Sequence, residues 1–289
     1  MTNTLVTGAN SGIGRATALK LAAEGHTVFA GMRSLAKGTK LMEMAGDLDV
    51  RPVVIDVADD ASVAACAAVV REAVGVLDVL VNNAGVGMNA VTEDIDIAAA
   101  QSVMNVNVWG AVRCVQAFVP AMRVRGSGHV VNITSIAGLI SAIGQTVYVG
   151  SKFAFEGMSE SLAQELAPFG LKVSIIEPGV TRTAILPKNE GHPEPTAYTD
   201  AYGRMFEFYA TGIMANVGAE VVADTILEAL TTEDHRLRWT CAWGGDEIAT
   251  GRRNMSDEDW VALGAAATDP AEYRRRFKAA FGLDITPNV

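Results

Sequence analysis

Positive charge is scarce in this sequence. Lys and Arg total 23 against 33 Asp and Glu, for a net charge of −10. That balance argues against a nucleic-acid surface, because phosphate contacts need clustered basic side chains. It does not exclude an anionic cofactor, since one arginine beside a helix N-terminus suffices for a phosphate. Cysteine is equally sparse: Cys66, Cys114 and Cys241 are odd in number, far apart and without metal-type spacing. A reduced, cytoplasmic setting is expected. The four histidines, His26, His129, His192 and His235, are scattered as well; surface or loop roles are expected of them, and no metal site. No uncharged apolar stretch reaches the length of a membrane span. Residues 1–7 enter an apolar run without a basic region or cleavage site, so no signal peptide is expected. Gly/Ser-rich linkers, internal repeats and low-complexity tracts are missing too. With 49% of 289 residues hydrophobic, one large domain with a substantial core is the simpler organisation.

What is present is a rhythm of short apolar runs and longer Ala-rich amphipathic stretches, the pattern of βα repetition around a parallel sheet. Strands are expected at 4–7, 27–32, 50–56, 78–82, 128–134, 171–177 and 237–241. They are rich in Val, Ile and Leu without strict alternation, as strands covered on both faces should be. Helices are expected at 13–24, 61–73, 99–123, 148–167 and 219–230. The fold class is α/β: a single doubly wound, Rossmann-type parallel sheet of about seven strands, helices on both faces, and a helical C-terminal extension. Two segments depart from the rhythm. Residues 184–216 hold Pro187, Pro193 and Pro195 among Tyr198, Tyr202, Phe206, Phe208 and Tyr209, and read as a long mobile loop with short helices. After Gly245, Ser256 with Asp259 and then Asp269 with Pro270 are helix starts.

The first strand runs into Gly8-Ala9-Asn10-Ser11-Gly12-Ile13-Gly14 and then a helical stretch. Strand, glycine-rich turn and helix start together make a phosphate cradle. Gly8 permits the turn, Gly12 lets backbone approach a pyrophosphate, and Gly14 allows close helix–strand packing. Ser11 offers a hydroxyl. At the end of the second strand, where an NAD site places an acid, the sequence reads Ala30-Gly31-Met32-Arg33-Ser34. Arg33 stands where a guanidinium would fork onto a 2′-phosphate, with Lys37 and Lys40 close by; a solvated loop arginine is the plainer alternative. NADP(H) is favoured, and NAD(H) is not excluded.

Tyr148 and Lys152 lie four residues apart in a helical stretch, on one face. A free phenol, with a pKa near 10, is a poor base at neutral pH; an adjacent ammonium favours phenolate and brings it toward its working range. A solvent-facing helix pair would have the same spacing. The residues from Thr7 to Gly14, Asn82-Asn83-Ala84-Gly85, Asn107, Ser135, Tyr148 with Lys152, and Pro178-Gly179 with Thr183 resemble the short-chain dehydrogenase/reductase family in order and approximate spacing. The likeness covers about residues 4–241. It is greatest toward the hydroxysteroid and retinol dehydrogenase side.

The resemblance implies roles. Tyr148 would be the acid/base; Lys152 would bind the nicotinamide ribose and lower the tyrosine pKa; Ser135 would hydrogen-bond the substrate oxygen. Asn107 would hold a water linking Lys152 to solvent, with Asn105 a competing choice. Asp56 with Val57 would approach the adenine, and Asn83, Ala84 and Gly85 would line its ribose. The phosphate loop would be Gly8, Asn10, Ser11, Gly12, Ile13 and Gly14, while Pro178, Gly179, Val180 and Thr183 would contact the nicotinamide amide. Plainer roles exist: Ser135 as a strand-end cap, Asp56 as a cap of the following helix, Asn83 as a tie between strands. On this basis residues 1–243 form a dinucleotide-binding and catalytic domain containing the substrate loop at 184–216, and residues 244–289 a helical extension packed on it.

The expected activity is hydride exchange between NADP(H) and a hydrophobic carbonyl or alcohol. Val86, Met88, Ile136, Leu139, Ile143 and Val147 would make an apolar substrate wall. The aromatics of 198–209 would close over it or pack against the tail. Of the histidines, His192 is the one expected near substrate. Trp260, Tyr273, Phe277 and Phe281 read as tail packing, and Arg274-Arg275-Arg276 as a solvated face. By resemblance, a homodimer or homotetramer would form through the helices at 99–123 and 148–167, with Met104, Trp109, Phe153 and Met158 available. Two other functions share the fold. An epimerase or dehydratase would carry a TGxxGxxG loop and a longer substrate domain; a non-enzymatic NADP(H) sensor would commonly lack the tyrosine.

Overall fold

The computed structural model describes residues 2–183 and 196–286. Seven strands form one parallel sheet: β1 (Asn3–Thr7), β2 (Thr27–Met32), β3 (Val50–Val54), β4 (Val79–Asn82), β5 (Gly128–Ile133), β6 (Leu171–Pro178) and β7 (Arg238–Cys241). Their order across the sheet is β3-β2-β1-β4-β5-β6-β7. The chain therefore reverses its direction of winding between β1 and β4, which pair in register from Thr4 with Val79 to Val6 with Val81. In open α/β sheets that reversal opens a crevice beyond the C-terminal strand ends.

Alternate residues along each strand enter two cores, because successive side chains point to opposite faces. On one face Val6, Val28, Val81 and Val131 pack with Leu21 of α1 (Gly12–Ala23), Leu41 of α2 (Thr39–Ala45) and Ile226 of α8 (Ala219–Thr231). Their neighbours Leu5, Phe29, Leu80 and Val130 pack on the other face. There they meet Val63, Cys66 and Val70 of α3 (Asp60–Val74), Cys114 and Met122 of α5 (Gly110–Arg125), and Leu166 of α6 (Thr146–Leu166). This two-sided burial is why the strands lack polar alternation.

The structure corrects several sequence-based expectations. The single helix expected at 99–123 is three pieces: α4 (Ile97–Met104), a π-helical turn at Asn105–Trp109, and α5. Asp96 caps α4 through the Ala99 N–H. The α2 helix was not anticipated. Much of the expected loop at 184–216 is one 16-residue helix, α7 (Thr199–Met214); residues 184–195, with Pro187, His192, Pro193 and Pro195, lie outside the described residues. His129 is no surface histidine. It is 7% exposed in β5, with Nε2 2.9 Å from Ser174 Oγ, and burial pushes its pKa down to about 3, so its ring is neutral.

The tail forms α9 (Gly245–Arg253), α10 (Asp257–Ala265) and α11 (Pro270–Phe281). Both expected helix starts are in place: Ser256 accepts from the Asp259 N–H, and Asp269 accepts from Ala271 and Glu272 with Pro270 in the first turn. Ile248, Leu263, Tyr273, Phe277 and Phe281 bury themselves against Ile136 and Ile140. The three consecutive arginines are ion-paired: Arg274 to Glu207, Arg275 and Arg276 to Glu272.

Candidate active site

A cavity of about 890 Å3 occupies the crevice at the reversal point. Its floor begins at the loop after β1. Gly8 has φ +68° and Gly12 φ +52°, both in the left-handed region that favours glycine. Gly14 is required by proximity: a Cβ there would lie 2.4 Å from Asn83 Nδ2 and 2.5 Å from the Gly8 carbonyl oxygen. Ser11 is the N-cap of α1 but its side chain caps nothing, in contrast to Asp59, Asp96, Ser256 and Asp269 on other helices. The first N–H groups of α1 are thus left for an anion.

Asn83 supports this loop from β4. Its Nδ2 donates to the Thr7 carbonyl at 2.8 Å, and its backbone N–H donates to Thr7 Oγ1 at 3.0 Å. The strand-tying role is therefore real, while Asn83, Ala84 and Gly85 also line the cavity. Asn10, Ile13, Val57, Pro178, Gly179, Val180 and Thr183 line it as well, and Thr183 lies over the Gly12 turn. Asp56 lines it too, but does not cap the next helix; Asp59 does, while Asp56 accepts from the Ala58 N–H at 3.0 Å. Arg33 and Lys37 are exposed cavity residues; Lys40 is exposed and stands outside it.

Tyr148, Ser135 and Lys152 meet further along the crevice. Burial pushes the Tyr148 phenol up, and its hydrogen bond with the Ser135 hydroxyl opposes that. Ser135 Oγ also accepts from the Ala137 N–H at 3.1 Å, so it caps a short turn and faces the phenol at once. Lys152 is 5% exposed. Its Nζ donates to the Ile133 carbonyl at 3.0 Å and sits 5.7 Å from the Tyr148 ring centroid. Burial pushes the ammonium down to about 8, against the pull of Glu156 one turn on. The Ser135 hydroxyl is thus placed to favour phenolate.

Asn107 is not a cavity-lining residue. It is 1% exposed in the π-helical turn, where Oδ1 accepts from the Val86 N–H at 2.8 Å. Nδ2 donates to the Val86 carbonyl at 2.9 Å and to Ser151 Oγ at 3.0 Å. Its side chain thus locks the chain after Gly85 onto α6. Asn105 points elsewhere, its Nδ2 3.4 Å from the Ala58 carbonyl.

The remaining wall is mainly apolar. Val86, Met88 and Ile136 stand in it as expected, joined by Ile140, Ala142 and Val106. Leu139, Ile143 and Val147 do not. Leu139 and Ile143 pack against the tail core, and Val147 is buried in α6. Phe208 satisfies both expectations for the aromatics: it lines the cavity and touches Trp243 and Phe277, with ring centroids 5.3 and 5.9 Å away. Tyr202, Phe206 and Tyr209 also line the cavity. Sequence reasoning missed Gln145. It accepts from Tyr209 Oη at 2.5 Å and donates from Nε2 to Asn89 Oδ1 at 3.0 Å. Its place three residues before Tyr148, one helical turn away, was the available signal.

No helix among the described residues is long and apolar enough to cross a membrane. Among the same residues no group of three or more His, Cys, Asp or Glu side chains is placed to hold a metal ion.

The sequence profile described as short chain dehydrogenase matches residues 2–193. Human 17-beta-hydroxysteroid dehydrogenase type 1 is 40% identical over 81% of this chain and 76% of its own length. Human retinol dehydrogenase 8 is 42% identical over 61% of this chain, a match that spans 57% of that protein. A metagenomic short-chain oxidoreductase, solved in complex with NADP, superposes with a TM-score of 0.67 at 27% identity, covering 82% of this chain and 95% of the other. With the glycine loop and the Ser135, Tyr148 and Lys152 cluster in one crevice, the chain belongs to the short-chain dehydrogenase/reductase family, toward its hydroxysteroid and retinol dehydrogenase side, and is a carbonyl/alcohol oxidoreductase.

Proposed function

We propose that the protein is an NADP(H)-dependent enzyme that interconverts a carbonyl and an alcohol on a hydrophobic small molecule, with Tyr148 as general acid/base. The observation that carries this is the Ser135–Tyr148 hydrogen bond, set where the glycine-loop half of the cavity meets its apolar half. The dinucleotide fits the residues present. A cradle closed by Gly14 and an uncapped helix start suit its pyrophosphate, and when bound it supplies or accepts the hydride. Arg33 and Lys37 on the cavity wall, and the lack of a carboxylate from Ala30 to Ser34, support a 2′-phosphate. The NADP complex of the metagenomic relative supports the same choice.

In the reductive direction Tyr148 gives its proton to the carbonyl oxygen as the carbinol forms. Ser135 donates a hydrogen bond to that oxygen and stabilises its developing charge. Lys152 places a cation behind the phenol and within reach of ribose hydroxyls; Asn107 keeps the floor of the site rigid. The names of the human relatives support steroid- or retinoid-sized substrates. Trp109, at the end of the π-helical turn, and Phe153 of α6, 50% and 42% exposed, support a homo-oligomer through these two helical stretches. Three unpaired cysteines support a reduced, cytoplasmic setting.

The test is Tyr148→Phe assayed over a broad carbonyl panel. Turnover should fall by about 10²–10⁴-fold, the usual share of a positioned acid, while NADPH binding followed by fluorescence is retained. Unchanged turnover would remove Tyr148 from the chemistry. Absence of any turnover by the wild type, with NADPH still bound, would favour a sensor.

A further inference from the structure

A second, smaller cavity of about 90 Å3 lies between the loop at 140–143, α7 and the tail helices α10 and α11. Its walls are mostly apolar and aromatic, including Phe208, Trp260, Leu263 and Phe277. Among the described residues its one charged wall residue is Arg204, which is 8% exposed. Arg204 Nη2 pairs with Glu207 Oε1 at 3.0 Å. The Nε and Nη1 atoms are buried and have no hydrogen-bond partner among the described residues. That leaves three N–H donors of a permanently charged group unmet in a sheltered place, an unfavourable condition unless something else meets them. Glu207 cannot do so alone, because Arg274 also donates to both of its oxygens, at 3.1 and 2.5 Å. Asp284 also acts on Arg274 but is itself paired with Lys278, so with two guanidinium groups on Glu207 the cluster keeps one positive charge in excess.

The smaller cavity shares Ile140, Ala142, Phe208 and Tyr209 with the main one, so the two adjoin at these residues. We propose that the Arg204 cavity receives a carboxylate carried by the substrate at the end remote from its reacting carbon. The substrate class is then an apolar ketone, aldehyde or alcohol with an acid terminus. This rests on the carbonyl/alcohol reading of the main cavity. A carboxylate suits the site because it is acceptor-only and monoanionic: it meets both the open donors and the excess charge. Water meets the donors and leaves the charge. Nε and Nη1 are buried in this structure while Arg204 lines the cavity, so binding requires the guanidinium to turn toward the ligand.

The test uses the full chain with saturating NADPH and ω-oxo-ω-phenylalkanoates of increasing chain length, each paired with its methyl ester. At the length that spans the two cavities, kcat/KM for the acid should exceed that for the ester by about tenfold or more, the size of one charge-assisted contact. The excess should vanish in Arg204→Leu and shrink in Arg204→Lys, with ester turnover little changed. A wild type that prefers no acid at any length overturns the proposal, whether or not the variants fold; so does a preference that survives Arg204→Leu. A second arm reads thermal unfolding without turnover. Phenylbutyrate should raise the Tm of the wild type but not of Arg204→Leu, and phenylbutyramide should raise neither. An equal rise with acetate or chloride would mark a free-anion site and overturn the substrate assignment. If no carbonyl is reduced while the Arg204-dependent phenylbutyrate shift remains, the carbonyl reading falls and the carboxylate site stands.

Discussion

Lys152 Nζ hydrogen-bonds to the carbonyl of Ile133, at the end of β5, and not to Tyr148 one helical turn away. The ammonium is thereby anchored to the sheet, and its distance from the phenol is a property of the β5–α6 packing. Burial depresses it to about 8 from 10.5. Between those values the unfolded chain holds a proton that the native protein has released, so this group adds stability as pH rises through the window. Relative to Lys152→Met, the wild type should gain about 2–3 kcal/mol between about pH 7 and pH 10. Urea midpoints of both proteins at the two pH values measure it; a constant difference would show that Lys152 stays charged.

Gly14→Ala should separate cofactor binding from the rest of the site. The added methyl meets Asn83 Nδ2 and the Gly8 carbonyl at 2.4 and 2.5 Å, and neither is the free end of a flexible chain, since Asn83 is held by Thr7. A cost of about 1–3 kcal/mol in unfolding free energy is expected for such overpacking. NADPH affinity should fall with it, as read by fluorescence titration, while Gly264→Ala, in α10 where a Cβ meets nothing within 4 Å, should leave the affinity unchanged and cost no stability.

Arg33→Ala should weaken NADPH by about tenfold or more, the loss of one charge-assisted phosphate contact. NADH binding should scarcely change. Calorimetric titration of both dinucleotides decides it, and equal losses would return Arg33 to the role of a solvated loop residue.

Asn107→Ala removes the partner of both backbone groups of Val86. Leaving them unpaired should cost about 1–3 kcal/mol. Because Val86 follows Gly85 in the cavity wall, kcat should fall together with the melting temperature. Asn107→Asp keeps the acceptor for the Val86 N–H but sets a buried carboxylate against the Val86 carbonyl, so a loss at least as large is expected; turnover unaffected by either substitution would confine Asn107 to folding.

Much of this protein was legible in its sequence because the interactions concerned are local. The N-caps Ser256 and Asp269 act within three residues of themselves. The glycine loop is a strand, a turn and a helix start in succession, and four-residue spacing puts Tyr148 and Lys152 on one helical face whatever surrounds them. The seven strands announced themselves by apolar runs, since both faces of the sheet are covered.

The rest depended on which distant segments meet. Residues 99–123 have continuous helical character, and nothing local marks the π-helical turn that carries Asn107 to Val86 and Ser151. The prolines before residue 196 and the aromatics after it read as loop, yet Tyr202 and Met205 find a buried face against Val91, and α7 forms. Gln145 matters through Tyr209 and Asn89, 64 and 56 residues away in the chain. Tyr148 and its neighbouring lysine were therefore determined by the sequence as a pair with a chemistry. Whether their proton equilibria favour that chemistry was decided only by tertiary structure, because desolvation and the positions of Ser135 and the Ile133 carbonyl depend on packing between α6 and the sheet.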